Sequence, residues 1–186
     1  GVETLVNRQI QAAQPVYVRE VEETKARAIN TLRAVFGEKY PDVVRVVSIG
    51  ADIDEMLADP ANPRWMQHAV EFCGGTHLSR GDEAERFVLV SEEGVAKGVR
   101  RIVGITGDAA RRAEAAAAAL LERIEAIAAG PPGELGDGLT AIQRELVESA
   151  ISLRVRHELQ QKIAELQKTA RQAEKQQAAA SSEVVM

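Results

Sequence analysis

The sequence predicts an α+β fold, a mixed sheet with helices followed by a long antiparallel helical hairpin. Three observations carry this expectation. Short β-branched runs alternate with helical spacings as far as Gly107, alanine-rich helix replaces them afterwards, and a Gly/Pro-rich stretch at 130–138 divides the helical part.

Taken in order, Val2, Leu5, Val6 and Ile10 recur at helical spacing, and Pro15 ends that helix and leads into a strand marked by Val16 and Val18. The spacing of Ile29, Leu32, Val35 and Phe36 predicts a short helix over 26–36, closed by Gly37 in a left-handed conformation. Val43, Val44, Val46, Val47 and Ile49 are nearly continuous and β-branched, as in a strand buried on both faces. Residues 52–63 carry the turn pairs Asp59-Pro60 and Asn62-Pro63 and read as a surface excursion. Apolar runs at 66–72, 87–90 and 99–105 complete a single sheet within the first 106 residues.

From Asp108 the pattern is helical. Residues 109–129 are alanine-rich, with Thr106 or Asp108 placed to cap the start. Gly136-Asp137-Gly138 is expected to break the helix. A second long helix then carries Leu159, Ile163, Leu166, Ala170 and Ala173, with its spacing interrupted near 149–155. The expected divisions are therefore 1–107 globular, 108–180 hairpin, and 181–186 a frayed tail. A start at Gly1 with helix already under way reads as an excerpt from a longer protein.

Composition narrows the function classes. The one cysteine, Cys73, excludes an internal disulfide and fits a reducing, cytoplasmic setting or a metal or catalytic role. No apolar run approaches the roughly 20 residues needed to cross a bilayer, so no membrane partner is expected. A net charge of -5 opposes whole-surface attraction to nucleic acid, but Lys97, Arg100 and Arg101 lie in a basic stretch, and Arg45 is a further cation able to contact phosphate.

The chemistry concentrates in Glu71-Phe72-Cys73-Gly74-Gly75-Thr76-His77. A thiolate and an imidazole on a glycine-rich turn can face one metal ion, and zinc takes such ligands. Two ligands do not complete a zinc site, and neither His68 nor His157 is well placed to add a third. On spacing alone, a metal half-site and a buried cysteine beside an ordinary histidine both stay open. Glu71 is a candidate for orienting a ligand, and Gly74 and Gly75 for bringing backbone amides close to a substrate. Either glycine could equally serve a tight turn.

Residues 70–77 resemble the Cys-Gly-Gly-Thr-His signature of alanyl-tRNA synthetase editing domains. Residues 34–40, 44–47 and 98–102 with Thr106-Gly107 are similar to other segments of that family, in the same order. The threonyl-tRNA synthetase editing domain carries a similar pair, but Arg100-Arg101-Ile102 and Thr106-Gly107 look like the alanyl type. The resemblance covers roughly residues 2–107 and implies the C-terminal part of an editing domain, incomplete at its N-terminus, with the family's helical segment after it. It implies a zinc-dependent site that hydrolyses Ser-tRNA-Ala and Gly-tRNA-Ala, tRNA-Ala as partner, and Cys73 and His77 as two zinc ligands. The family's remaining His-x3-His ligands are absent from these residues. ATP and magnesium would serve a parent's aminoacylation domain, also not included here. A freestanding trans-editing deacylase and a non-catalytic tRNA- or protein-binding module are the alternatives.

Overall fold

The computed structural model describes residues 1–131 and 135–183. The chain divides into two compact units, Gly1–Arg86 and Phe87–Met186. The fold is α+β throughout, as the alternation of patterns predicts.

The first unit opens with helix α1, Val2–Gln11, and strand β1, Val16–Glu22. Strand β3, Val43–Ile49, pairs antiparallel with β1 on one side and with β4, Ala69–Phe72, on the other. The two-residue strand β2, Leu32–Arg33, adds to β4 in parallel, giving a mixed sheet of order β1-β3-β4-β2. Val44, Val46 and Val70 of the sheet join Ile29, Ile53, Met56 and Trp65 in one buried cluster. Burial of these side chains is the main favourable term holding the unit together.

The helix predicted over 26–36 does not form. Helix α2 covers only Glu23–Ala26, and the chain then turns, because the amide of Asn30 donates to the Pro60 carbonyl and Leu32–Arg33 is drawn into the ladder with β4. Ile29 and Leu32 do reach the core, whereas Val35 and Phe36 are exposed, so their spacing marked no helix face. Gly37 is left-handed as expected (φ +78°), in a turn. The surface excursion holds helix α3, Ile53–Ala58, whose cap is the Asp52 carboxylate accepting from the Asp54 amide at 2.8 Å. Residues 63–67 form a 3₁₀ turn instead of a strand start, and there the Trp65 indole N–H donates to the Asp59 carbonyl at 2.7 Å.

In the second unit, β5 (Phe87–Ala96) and β6 (Val99–Thr106) pair with each other as an antiparallel hairpin and form a separate sheet, contrary to the single sheet expected. Gly98 turns the hairpin at φ +77°. Pairing within the hairpin satisfies these strands, while Val88 of β5 packs on Ala110 and Ala113 of helix α4, Gly107–Ala128. Thr106 stands at the cap position of α4 but makes no side-chain cap bond.

The helical part contains three helices where two were expected: α4, then α5 (Leu135–Glu148), then α6 (Leu153–Glu183). Leu120, Ile124, Leu139, Ile142, Leu146, Ile151, Leu159 and Ile163 form their shared core. Gly136 and Gly138 do not break a helix. They lie in the first turn of α5, and Gly138 lets that turn lie against Ile127 of α4, where a Cβ would come within 3.1 Å. The interruption read near 149–155 is the short break between α5 and α6, where the Arg156 guanidinium donates to the Ser149 carbonyl at 2.6 Å. Parts of the expected loop and tail, residues 132–134 and 184–186, lie outside the described residues.

Candidate metal centre

Strand alternation assigns the candidate residues to a face. Side chains point to opposite faces at successive positions, and Val44, Val46 and Val70 face the core. Arg45, Val47 and Glu71 therefore share the other face. Val46 pairs with Phe72, and the Cys73 amide donates to the Arg45 carbonyl at 3.1 Å, so Cys73 continues that face at the end of β4. Phe72, pointing the opposite way, packs against the core and meets Tyr40 edge-on with ring centroids 4.9 Å apart. The last residue before the cysteine is thereby anchored.

Beyond Cys73 the chain runs through Gly74, Gly75 and Thr76 to His77 without regular structure. The ligand atoms of Glu71, Cys73 and His77 all lie within 4.8 Å of one another, and among the described residues no other His, Cys, Asp or Glu cluster of three does this. Cys73 is half-buried, and Glu71 and His77 are exposed. Sulfur, imidazole nitrogen and carboxylate oxygen are the donors zinc accepts. Zinc bonds of about 2.3 Å to sulfur and about 2.0 Å to nitrogen set two ligands roughly 3.5 Å apart at a tetrahedral angle, within reach of modest side-chain rotation. The donor set fits zinc as three corners of one coordination sphere.

Arg45 closes the arrangement. One guanidinium nitrogen, Nη1, donates to the Cys73 carbonyl at 3.0 Å and to the Gly75 carbonyl, and lies 3.5 Å from His77 Nδ1. The sequence named Arg45 only for its charge. The signal for its neighbours was the cross-strand register that sets residue 45 opposite residue 73, which a single strand's pattern does not reveal. Glu71 was named beside the cysteine, but its nearness to His77 depends on the fold of the loop. Neither Gly74 nor Gly75 has positive φ, so no left-handed turn demands glycine there. A Cβ on Gly74 would meet nothing within 4 Å, and one on Gly75 would lie 3.7 Å from Cys73 Sγ.

The other histidines have local partners: His68 Nδ1 lies 3.2 Å from the Ile49 carbonyl, and His157 Nε2 lies 3.0 Å from Gln161. The remaining basic candidates sit on the β5–β6 hairpin. Lys97 is exposed in its turn, and Arg100 and Arg101 pair across it with Glu92 at 2.6 Å and Glu93 at 3.3 Å. No described helix is long and apolar enough to cross a membrane.

Residues 44–103, from β3 into β6, match the threonyl and alanyl tRNA synthetase second additional domain. An alanine--tRNA ligase of Candida albicans is 45% identical over 132 residues, 71% of this chain and 14% of that protein. The mitochondrial alanine--tRNA ligase of Saccharomyces cerevisiae is 41% identical over 170 residues, 90% of this chain and 17% of its own length. The cytoplasmic alanine--tRNA ligase of Dictyostelium discoideum is 40% identical over 176 residues, 95% of this chain and 19% of its own. The chain thus spans less than a fifth of the length of these relatives. With 40–45% identity to alanine--tRNA ligases over 71–95% of its length, the chain belongs to the alanyl-tRNA synthetase family.

Proposed function

We propose that this chain supplies one half of a zinc-dependent editing centre in an alanyl-tRNA synthetase, which hydrolyses serine or glycine wrongly esterified to tRNA-Ala. The observation that carries the proposal is the convergence of Cys73, His77 and Glu71 at the end of β4, in a family named for its tRNA ligase activity. Cys73 and His77 are the metal ligands in this reading, and Glu71 orients His77 or joins the metal directly. The missing ligands come from residues outside this chain. Bound there, zinc would polarise an ester carbonyl or lower the pKa of an attacking water.

The chain's own residues do the rest. Gly74 leaves open space beside the loop, so a substrate can approach its backbone closely. Lys97, Arg100 and Arg101 contact tRNA phosphates, with Arg100 and Arg101 exchanging their glutamate partners for phosphate oxygens. The parent enzyme attaches alanine to tRNA-Ala using ATP and magnesium in another domain, in the cytoplasm.

The test is zinc content and deacylation of Ser-tRNA-Ala by the full-length synthetase carrying this chain, beside its Cys73→Ala variant. Stoichiometric zinc and hydrolysis, both reduced by the substitution, are expected. Full zinc and full activity in Cys73→Ala would remove Cys73 from the centre.

A further inference from the structure

We propose that Arg45 is the positioning residue of the Cys73–His77 loop, setting where the thiolate and the imidazole are presented to the metal. The inference rests on the metal-centre reading above and adds to it a residue that touches neither substrate nor metal.

The loop needs an external hold. Among the described residues, its main-chain hydrogen bonds are the Cys73 amide to the Arg45 carbonyl at one end and the Ser79 carbonyl, accepting from the Val16 amide at 2.9 Å, at the other. Residues 74–78 between them make none to another backbone group, and two of them are glycines, which lose the most conformational freedom when ordered. Arg45 supplies the hold. Its carbonyl fixes the Cys73 amide, while its guanidinium reaches over the same sheet face to the carbonyls of Cys73 and Gly75. Backbone and side chain of one residue thus pin the loop at both ends of the Cys73–Gly75 peptide segment, turning Sγ and the residue 77 ring toward each other.

Arginine suits this role better than lysine. Its guanidinium is planar, rigid and always charged, so the two N–H bonds of Nη1 point in fixed directions toward the two carbonyls, whereas an ammonium rotates on a flexible stem. The contact to His77 is the one that yields. A neutral imidazole has a single lone-pair nitrogen, so a metal on His77 and an N–H from Arg45 compete for it. The two carbonyl contacts involve no metal-ligand atom and persist in the loaded state. If competition and charge repulsion outweighed positioning, removing Arg45 would tighten metal binding. The proposal requires the opposite sign.

The experiment is a cobalt(II) titration of the full-length synthetase carrying this chain, beside Cys73→Ser, Arg45→Gln and Arg45→Lys, following the thiolate-to-cobalt absorption band. Far-ultraviolet circular dichroism and the thermal melting point check that each variant is folded. Arg45→Gln is expected to weaken cobalt binding by about 10–100-fold, the usual cost of losing a group that orients a ligand, and to shift the band. Arg45→Lys should recover part of the affinity. Wild-type or tighter binding with an unshifted band in Arg45→Gln overturns the proposal. Should that variant be unfolded, Arg45→Lys is read by the same criterion, with wild-type binding as the refuting result. A wild-type protein with no Cys73-dependent band would instead sink the metal-centre reading itself, and the Arg45 proposal with it.

Discussion

Val46→Ala tests whether the two faces of β3 do separate jobs. Val46 is wholly buried and belongs to the first unit's core cluster, one residue from Arg45 on the opposite face. The substitution deletes two methyl groups, about 1.6 kcal/mol at about 0.8 kcal/mol each. The residual cavity adds about 1 kcal/mol more, because the surrounding strand and helix relax only in part. The total is about 2–3 kcal/mol of stability. The assay is urea unfolding of this chain followed by fluorescence of Trp65, its one tryptophan, which is buried in the same cluster. With a slope of about 1–3 kcal/mol/M, the midpoint should fall by about 0.7–3 M. Metal affinity of the folded variant, measured without urea, should match wild type, since no atom of the loop or of Arg45 is removed. A loss below about 1 kcal/mol, or a metal affinity that falls as it is expected to in Arg45→Gln, would refute the assignment of faces.

Leu146→Ala removes a fully buried side chain from the three-helix core and should cost about 2–5 kcal/mol, read as a lowered denaturation midpoint by far-ultraviolet circular dichroism. Asp52→Ala deletes the cap of α3 and should cost about 1 kcal/mol by the same measurement; no loss would show that the 2.8 Å contact does not hold the helix end. Arg100→Ala breaks an exposed cross-strand pair and should change stability by less than about 1 kcal/mol. On the editing proposal the same change should weaken tRNA binding and lower its salt dependence by about one phosphate contact, which a filter-binding series against ionic strength would reveal.

Much of the fold was legible where local pattern and burial agree. The run of Val43, Val44, Val46, Val47 and Ile49 marks β3 because both its faces are covered at the centre, with Val46 and Val47 each buried. The alanine-rich stretch marks α4 because small side chains suit both the helix and its close packing. Residues 26–36 misled because Ile29 and Leu32 enter the core by a turn and an edge strand, a partner choice made by β4 thirty-odd residues later. Gly136 and Gly138 misled because propensity counts only the cost of glycine; for Gly138 the close approach of Ile127 supplies the reason a small residue stands there. At the site, Cys73 and His77 were visible as a spaced pair. Glu71 stands two residues before the cysteine and is visible with it, though its nearness to His77 depends on the fold of the loop; the grip of Arg45 comes from the pairing of two strands and is visible in neither alone.

The pairing of Arg45 with Cys73 also ties chemistry to correct folding. Strand side chains alternate with a period of two, so sliding β3 by one residue against β4 would exchange its faces. The cation would then lie in the apolar cluster, and a valine would stand where the loop needs a donor. A misaligned chain could still be compact and rich in β structure, yet it would present no assembled thiolate and imidazole. Metal uptake by this loop would then serve as an inspection stamp, given only to molecules whose strands have found their proper alignment.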